Sequence, residues 1–251
     1  MEKTVTAAEI EEILVQMLNE KQREVLMRFF RTGPGEYGEG DRFLGLYVPQ
    51  TRAVLKEAKG RIALAEIEKL LHSQWHEVRL CGFLLLGEEM KRLVPKRGQS
   101  KDLRAKERKV IADLYLANAT YAHNWDLVDL SAPHVLGTYL YYSNEDPMPI
   151  LTRLAESDNL WEQRISIVST LAFIRNKEYT PALRMSQKLM NHPHHLMHKA
   201  IGWMLREIGK RDKETLLDFL ENNYKDLPRT SLRYSIERFP EPERQYWLKR
   251  K

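Results

Sequence analysis

Asn124-Trp125-Asp126-Leu127-Val128-Asp129-Leu130-Ser131-Ala132-Pro133-His134 is the stretch on which the reading of the fold turns. Its apolar centre, Val128-Asp129-Leu130, lines up with Val78-Arg79-Leu80, Gln163-Arg164-Ile165, His198-Lys199-Ala200 and Leu232-Arg233-Tyr234. The central positions 79, 129, 164, 199 and 233 are separated by about 50, 35, 35 and 34 residues, the spacing of a helical solenoid. In such a fold each repeat is a helical hairpin that shares a core with its neighbours. A basic loop inserted from Lys91 to Lys101 accounts for the one long interval. The expectation is an all-α, HEAT-like superhelix (an α-solenoid) with a concave basic face, running as a single domain over residues 1–251.

Outward from that core, helical spacing recurs. Ile10, Ile13, Leu14, Met17 and Leu18 form one apolar stripe behind the candidate cap Thr6. Leu80, Phe83, Leu84 and Gly87 form another, followed by Ile165, Val168, Leu171 and Ala172, and by Ile201, Met204 and Leu205. Gly33-Pro34-Gly35, Pro95, Pro193 and Pro228 fall between these stretches. No tract alternates β-branched residues, and no Asn-Gly or Asp-Gly turn signals a hairpin.

Composition narrows the function classes. The 251 residues are 43% apolar and 30% charged, which suits a globular chain with a sizeable core. A single cysteine, Cys81, excludes an internal disulfide and a multi-cysteine zinc site; within Leu80–Leu86 it reads as a small buried hydrophobe. Met1-Glu2-Lys3-Thr4 opens no apolar leader core, and no segment approaches about 18 continuous apolar residues. A soluble, cytoplasmic protein without membrane contact is expected.

The aligned positions carry the chemistry. Arg79, Arg164, Lys199 and Arg233 are basic, and Asp129 is the one acid among them. Equivalent positions of a solenoid lie in a row, so this would be a cationic stripe interrupted by one carboxylate. Cations near phosphates release counterions, whereas a carboxylate there opposes DNA binding and asks for another purpose, catalysis being one. Buried Arg–acid pairs between adjacent helices would give the same pattern. Nine cations between Lys91 and Lys109, including Lys96, Arg97 and Arg108, face only Glu88, Glu89, Asp102 and Glu107, so this stretch matches the whole chain's net charge of +5. Arg206, Lys210, Arg211 and Lys213 form a second cluster. Solvated helix faces would explain either cluster alone. Trp125 sits one helical turn before Asp129, Trp203 one turn after Lys199, and Trp161 three residues before Arg164.

At these residues the chain resembles the AlkD-like DNA alkylation repair glycosylases. Asn124–His134 is similar to that family's signature, and Leu160-Trp161-Glu162-Gln163-Arg164-Ile165-Ser166-Ile167 and Lys199-Ala200-Ile201-Gly202-Trp203-Met204-Leu205-Arg206-Glu207 agree with it. Phe43-Leu44-Gly45-Leu46-Tyr47-Val48-Pro49, followed by Arg52, matches the family's N-terminal motif. The resemblance implies hydrolysis of the N-glycosidic bond of N3- and N7-alkylated purines in duplex DNA. No suitably placed Lys nucleophile is evident, so a monofunctional enzyme leaving an abasic site is expected, without cofactor or metal; a solenoid with one DNA groove can act as a monomer. By position, Asp129 would be the catalytic carboxylate, Arg164 its phosphate- or backbone-holding neighbour, and Trp125 and Trp203 aromatic walls. Tyr47, Arg52, Arg79, Lys96, Arg97, Lys199, Arg206, Lys210, Arg211 and Arg233 would contact DNA.

Two other classes fit parts of the sequence. A non-catalytic HEAT-like module binding nucleic acid or protein shares the architecture but has no need of the Asp129 and Arg164 pair. A metal enzyme is suggested by His192, His194, His195 and His198, although no HExxH pattern accompanies them.

Overall fold

The structure, a computed structural model, describes residues 4–250; Met1, Glu2 and Lys3 of the N-terminal reading lie outside them. Among the described residues the chain is helical, with only isolated bridges pairing Val5 with Ile62 and Arg42 with Trp75. It forms two compact units, residues 1–143 and 144–251.

The first unit holds α1 (Ala7–Gln16), α2 (Glu20–Phe29), α3 (Val48–Ala58), α4 (Leu64–Leu71), α5 (His76–Arg92), α6 (Ala105–Ala117), α7 (Trp125–Ser131) and α8 (Leu136–Tyr142). Its centre is α5, buried without interruption from His76 to Leu86. A helix that is apolar on every side belongs in a core, and α3, α4, α6 and α7 all pack on this one. Burial of each such leucine is worth about 1.5–3 kcal/mol. The expected cap Thr6 closes a capping box: it accepts from the Glu9 N–H, and the Glu9 carboxylate accepts from the Thr6 N–H at 3.0 Å. The stripe behind it is narrower than its spacing suggests, because Ile10 and Leu14 are buried while Ile13 is 46% exposed.

The second unit holds α9 (Met148–Ala155), α10 (Leu160–Val168), α11 (Leu171–Arg175), α12 (Thr180–Lys188), α13 (His195–Gly209), α14 (Lys213–Asn223), α15 (Arg229–Ser235) and α16 (Glu241–Lys249). Here α13 is central, packed against α10, α12, α14 and α15. Gly202 lets α15 approach: a Cβ there would lie 2.6 Å from the Ser231 carbonyl oxygen. The stripe Ile165–Ala172 is divided between α10 and α11 by a break at Ser169-Thr170.

The helix starts correct the register of the charged row. Asp129, Arg164, Lys199 and Arg233 are each the fifth residue of their helix, but Arg79 is the fourth of α5. One residue is about 100° around a helix axis, so Arg79 holds a different position on its helix from the other four. The other four keep a common register.

Candidate functional site

Asp129 stands on a short helix whose start is fixed by its own sequence. Asn124 caps α7, its Oδ1 accepting from the Trp125 N–H at 2.9 Å, and its Nδ2 donates to Asp41 at 3.3 Å. One turn separates Trp125 from Asp129; both are half-buried, and both line a cavity of about 500 Å³ within the first unit. α2 supplies Phe29 to the wall, the following residue Phe30 adds a second ring, and Phe43 and Tyr47 come from the loop before α3.

That loop is the N-terminal motif of the sequence, and one carboxylate holds it. Buried Glu77 accepts the N–H groups of Leu44, Gly45 and Leu46 at 2.8, 2.9 and 2.9 Å. Gly45 adopts φ +87°, and a Cβ there would meet the Asn19 carbonyl at 2.2 Å, so glycine is required. Tyr47 then precedes α3, which begins with Val48 and Pro49.

Behind the cavity lies a buried charge network absent from the sequence reading. His76 sits between two carboxylates, Nδ1 2.7 Å from Asp41 and Nε2 2.9 Å from Asp126. Burial would lower its pKa, but attraction to Asp126 and Asp41 overrides this and raises it to about 10, so the ring is an imidazolium. Burial by itself would raise the Asp41 pKa; His76, with help from His123 and Arg79, instead holds it far below the ordinary carboxylate range. Rings extend the network: Phe43 stacks on His76 at 4.2 Å, Phe30 on Phe43 at 5.0 Å, and Trp125 on Phe30 at 5.2 Å between centroids. The Trp125 indole also donates to the Tyr37 hydroxyl. Both the ring and the start of α7 are thus held from below.

Arg79 belongs to this network and not to a DNA-binding face. It is 3% exposed, ion-paired with Asp41, and donates to the Ser73 carbonyl at 2.7 Å, so the expectation of a phosphate contact is corrected. Arg108 is likewise withdrawn from the basic stretch. It is 1% exposed, and its guanidinium staples the loop 93–104 by donating to the carbonyls of Leu93, Lys101 and Leu103. Lys96 and Arg97 are exposed on that loop, and Arg52 is exposed on α3.

Residues 10–239 match the model of a family described as DNA alkylation repair enzyme. The chain belongs to the DNA alkylation repair enzyme family. A solved structure, that of a predicted DNA alkylation repair enzyme from Enterococcus faecalis, is 16% identical, with a TM-score of 0.64 over 90% of this chain and 98% of that one. At that identity the likeness is one of fold: all-helical and built from helical repeats. No curated protein matches the chain.

The second unit of this family member carries the remaining residues of the reading. Arg164 is buried in α10, its Nη1 donating to the Leu196 carbonyl at 2.6 Å. Trp161 is buried as a core residue, whereas Trp203 and Lys199 are half-buried on α13 and Arg233 is exposed on α15. The second basic cluster is matched by acids: Arg206 pairs with Glu237, Lys210 and Arg211 with Glu207 at 2.6 and 3.0 Å, and Lys213 with Glu243 at 2.7 Å.

Three of the four histidines, His192, His194 and His198, have structural work. The His194 ring accepts the Leu196 N–H at 3.2 Å as the cap of α13, and the His192 ring accepts the His194 N–H at 3.0 Å. The other nitrogen of His192 meets Gln163 at 2.7 Å, and His198 donates to the His192 carbonyl at 2.6 Å. Burial, with repulsion from its histidine neighbours, lowers His194 to about 4, so it caps the helix as a neutral ring. Among the described residues no cluster of His, Cys, Asp and Glu is arranged to hold a metal ion. The thiol of Cys81 is buried and pushed up to about 12, an inert core residue.

Proposed function

We propose that this alkylation repair protein is a monofunctional DNA glycosylase, a monomer acting in the cytoplasm, that hydrolyses the N-glycosidic bond of N3- and N7-alkylated purines in duplex DNA. The observation that carries the reading is Asp129, a half-buried carboxylate on the wall of an aromatic cavity, one turn from a Trp125 fixed from beneath. An alkylated purine is already cationic. As its bond to C1′ breaks, the electron pair moves to the purine nitrogen and the positive charge to the sugar. A fixed carboxylate beside that oxocarbenium ion stabilises it and orients the attacking water, whose oxygen bonds to C1′ while its proton passes to the carboxylate or to solvent. The products are a neutral free base and an abasic sugar. Trp125 adds the attraction of an aromatic face for developing positive charge.

Arg52, Lys96, Arg97, Lys199 and Arg233, with Tyr47, are the proposed phosphate and sugar contacts, since all are exposed or half-buried. Arg206, Lys210 and Arg211 would exchange a carboxylate for a phosphate on binding. The roles of Arg164 and Trp203 rest on the family motifs. Arg164, buried, would serve by holding backbone in place. The test is incubation of the protein with a 7-methylguanine-containing duplex. Free 7-methylguanine and an alkali-labile site, without strand scission before alkali, are expected; an intact duplex that is nevertheless bound would leave a non-catalytic module.

A further inference from the structure

Arg108 is buried, yet among the described residues no ion pair balances its charge. Buried arginines are normally paired with an acid. Its donors go to backbone instead: Nη1 to the Leu93 carbonyl at 3.1 Å and to that of Leu103, Nη2 to Lys101 and, at 3.5 Å, to Tyr142 at the end of α8. The Tyr142 ring lies 5.8 Å from the guanidinium carbon. Leu93 follows α5 and Leu103 stands just before α6, so one side chain grips both ends of the loop 93–104. A planar fork of five donors can do this where a point charge cannot.

The loop needs such a hold. Arg104, its last residue, takes φ +57°, a left-handed conformation uncommon without glycine, and Arg108 fixes the carbonyl just before it. Lys96, Arg97, Lys101 and Arg104 share the loop with a single acid, Asp102, so its charges repel one another. Local bonds shape the tip: the Gln99 side chain accepts the Lys96 N–H at 2.8 Å, and Gly98 turns the chain at φ +87°. The cations then divide. Arg104 pairs with Glu107, and Lys101 donates to the Tyr141 carbonyl at 3.1 Å. Lys96 and Arg97, exposed at the tip, enter no ion pair or side-chain hydrogen bond among the described residues. Arg206, Lys210, Arg211 and Lys213 of the second cluster, by contrast, are all paired with acids. We propose that Arg108 is a positioning residue for duplex binding: buried out of reach of DNA, it holds the loop in the shape that presents Lys96 and Arg97 together to backbone phosphates. The proposal rests on the DNA-binding side of the reading above. The chemistry recognised is the phosphodiester backbone, which sets register and carries no information about a lesion.

The test measures binding of the full chain to a short undamaged duplex across a salt series. Lys96→Ala and Arg97→Ala together are expected to lower affinity about tenfold and to reduce the slope of log K against log salt by about two, one for each phosphate. Arg108→Met, checked for folding by its melting curve, should reproduce both effects although its side chain touches no phosphate. Added to the double variant it should cost nothing further, because the loop then has nothing to present. Should Arg108→Met fail to fold, Arg108→Lys takes its place with the same expectation, since it keeps the charge without the fork. Wild-type affinity and slope in the Arg108 variant would overturn the proposal. So would a further loss on top of the double variant, which would assign the effect to the arginine's own charge. An unchanged double variant would equally overturn it, by removing the loop from the DNA-binding surface. The duplex carries no lesion, so none of these outcomes bears on excision: failure removes only the role of Arg108 and its loop, and the glycosylase reading is decided separately by release of base from a damaged duplex.

Discussion

Each unit contains a histidine site, and the two are opposites. The second unit crowds His192, His194, His195 and His198 into seven residues, yet the rings of His192, His194 and His198 serve to close turns and cap α13. The first unit places His76 alone in the core, between carboxylates 35 and 50 residues away, directly behind the candidate site. His194 is neutral because it is partly buried among other histidines, and His76 is charged, although buried, because its neighbours are anions. Density of a residue type therefore says little about chemistry, and the partners of a single ring say a great deal.

The comparison can be broken most severely at His76. His76→Leu leaves Asp126 buried without its cation and Asp41 with Arg79 but no histidine beneath it, a loss of about 3–5 kcal/mol and a fall in Tm on the order of 10 °C. A melting curve no different from wild type would mean the imidazolium is not what holds this region. A second contrast is the sign of the pH dependence. His76 has a folded pKa near 10 against 6.5 unfolded, so its stabilisation is complete below pH 6.5 and is lost as pH rises from 6.5 to 10. Asp41, held low, contributes above its ordinary value of 3.8 and loses that contribution as pH falls below it. His194 runs the other way from His76: with a folded value near 4, its contribution is present above pH 6.5 and is lost as pH falls from 6.5 to 4. Melting temperatures across pH 4–10 should therefore lose their alkaline slope in His76→Leu and part of their acid slope in His194→Ala; identical profiles would erase the distinction. The smallest effect is His194→Ala at neutral pH, where loss of one helix cap costs about 1 kcal/mol.

Much of the fold was legible because helices announce themselves locally. The Thr6 cap, the punctuation at Gly33-Pro34-Gly35 and Pro228, and the common register of Asp129, Arg164, Lys199 and Arg233 all follow from short-range spacing. Arg79 was misread because its partner Asp41 lies 38 residues earlier in the sequence, and no local spacing shows that pair. Asp129 and Trp125 could be picked out of one helical turn. The cavity around them could not, since its wall is assembled from α2, the loop before α3, α5 and α7. His76 and Asp126 left one faint trace: both lie in the first turn of corresponding helices, a place where a histidine and an acid can meet across the packing.

The most direct test of the account is single-turnover release of 7-methylguanine from a defined duplex by wild type and Asp129→Asn, with DNA affinity and melting temperature measured alongside. The account predicts a fall of about two to three orders of magnitude in the rate, the usual cost of removing a group that stabilises transition-state charge, with affinity and fold retained. An Asp129→Asn protein that excises the base at the wild-type rate would contradict it.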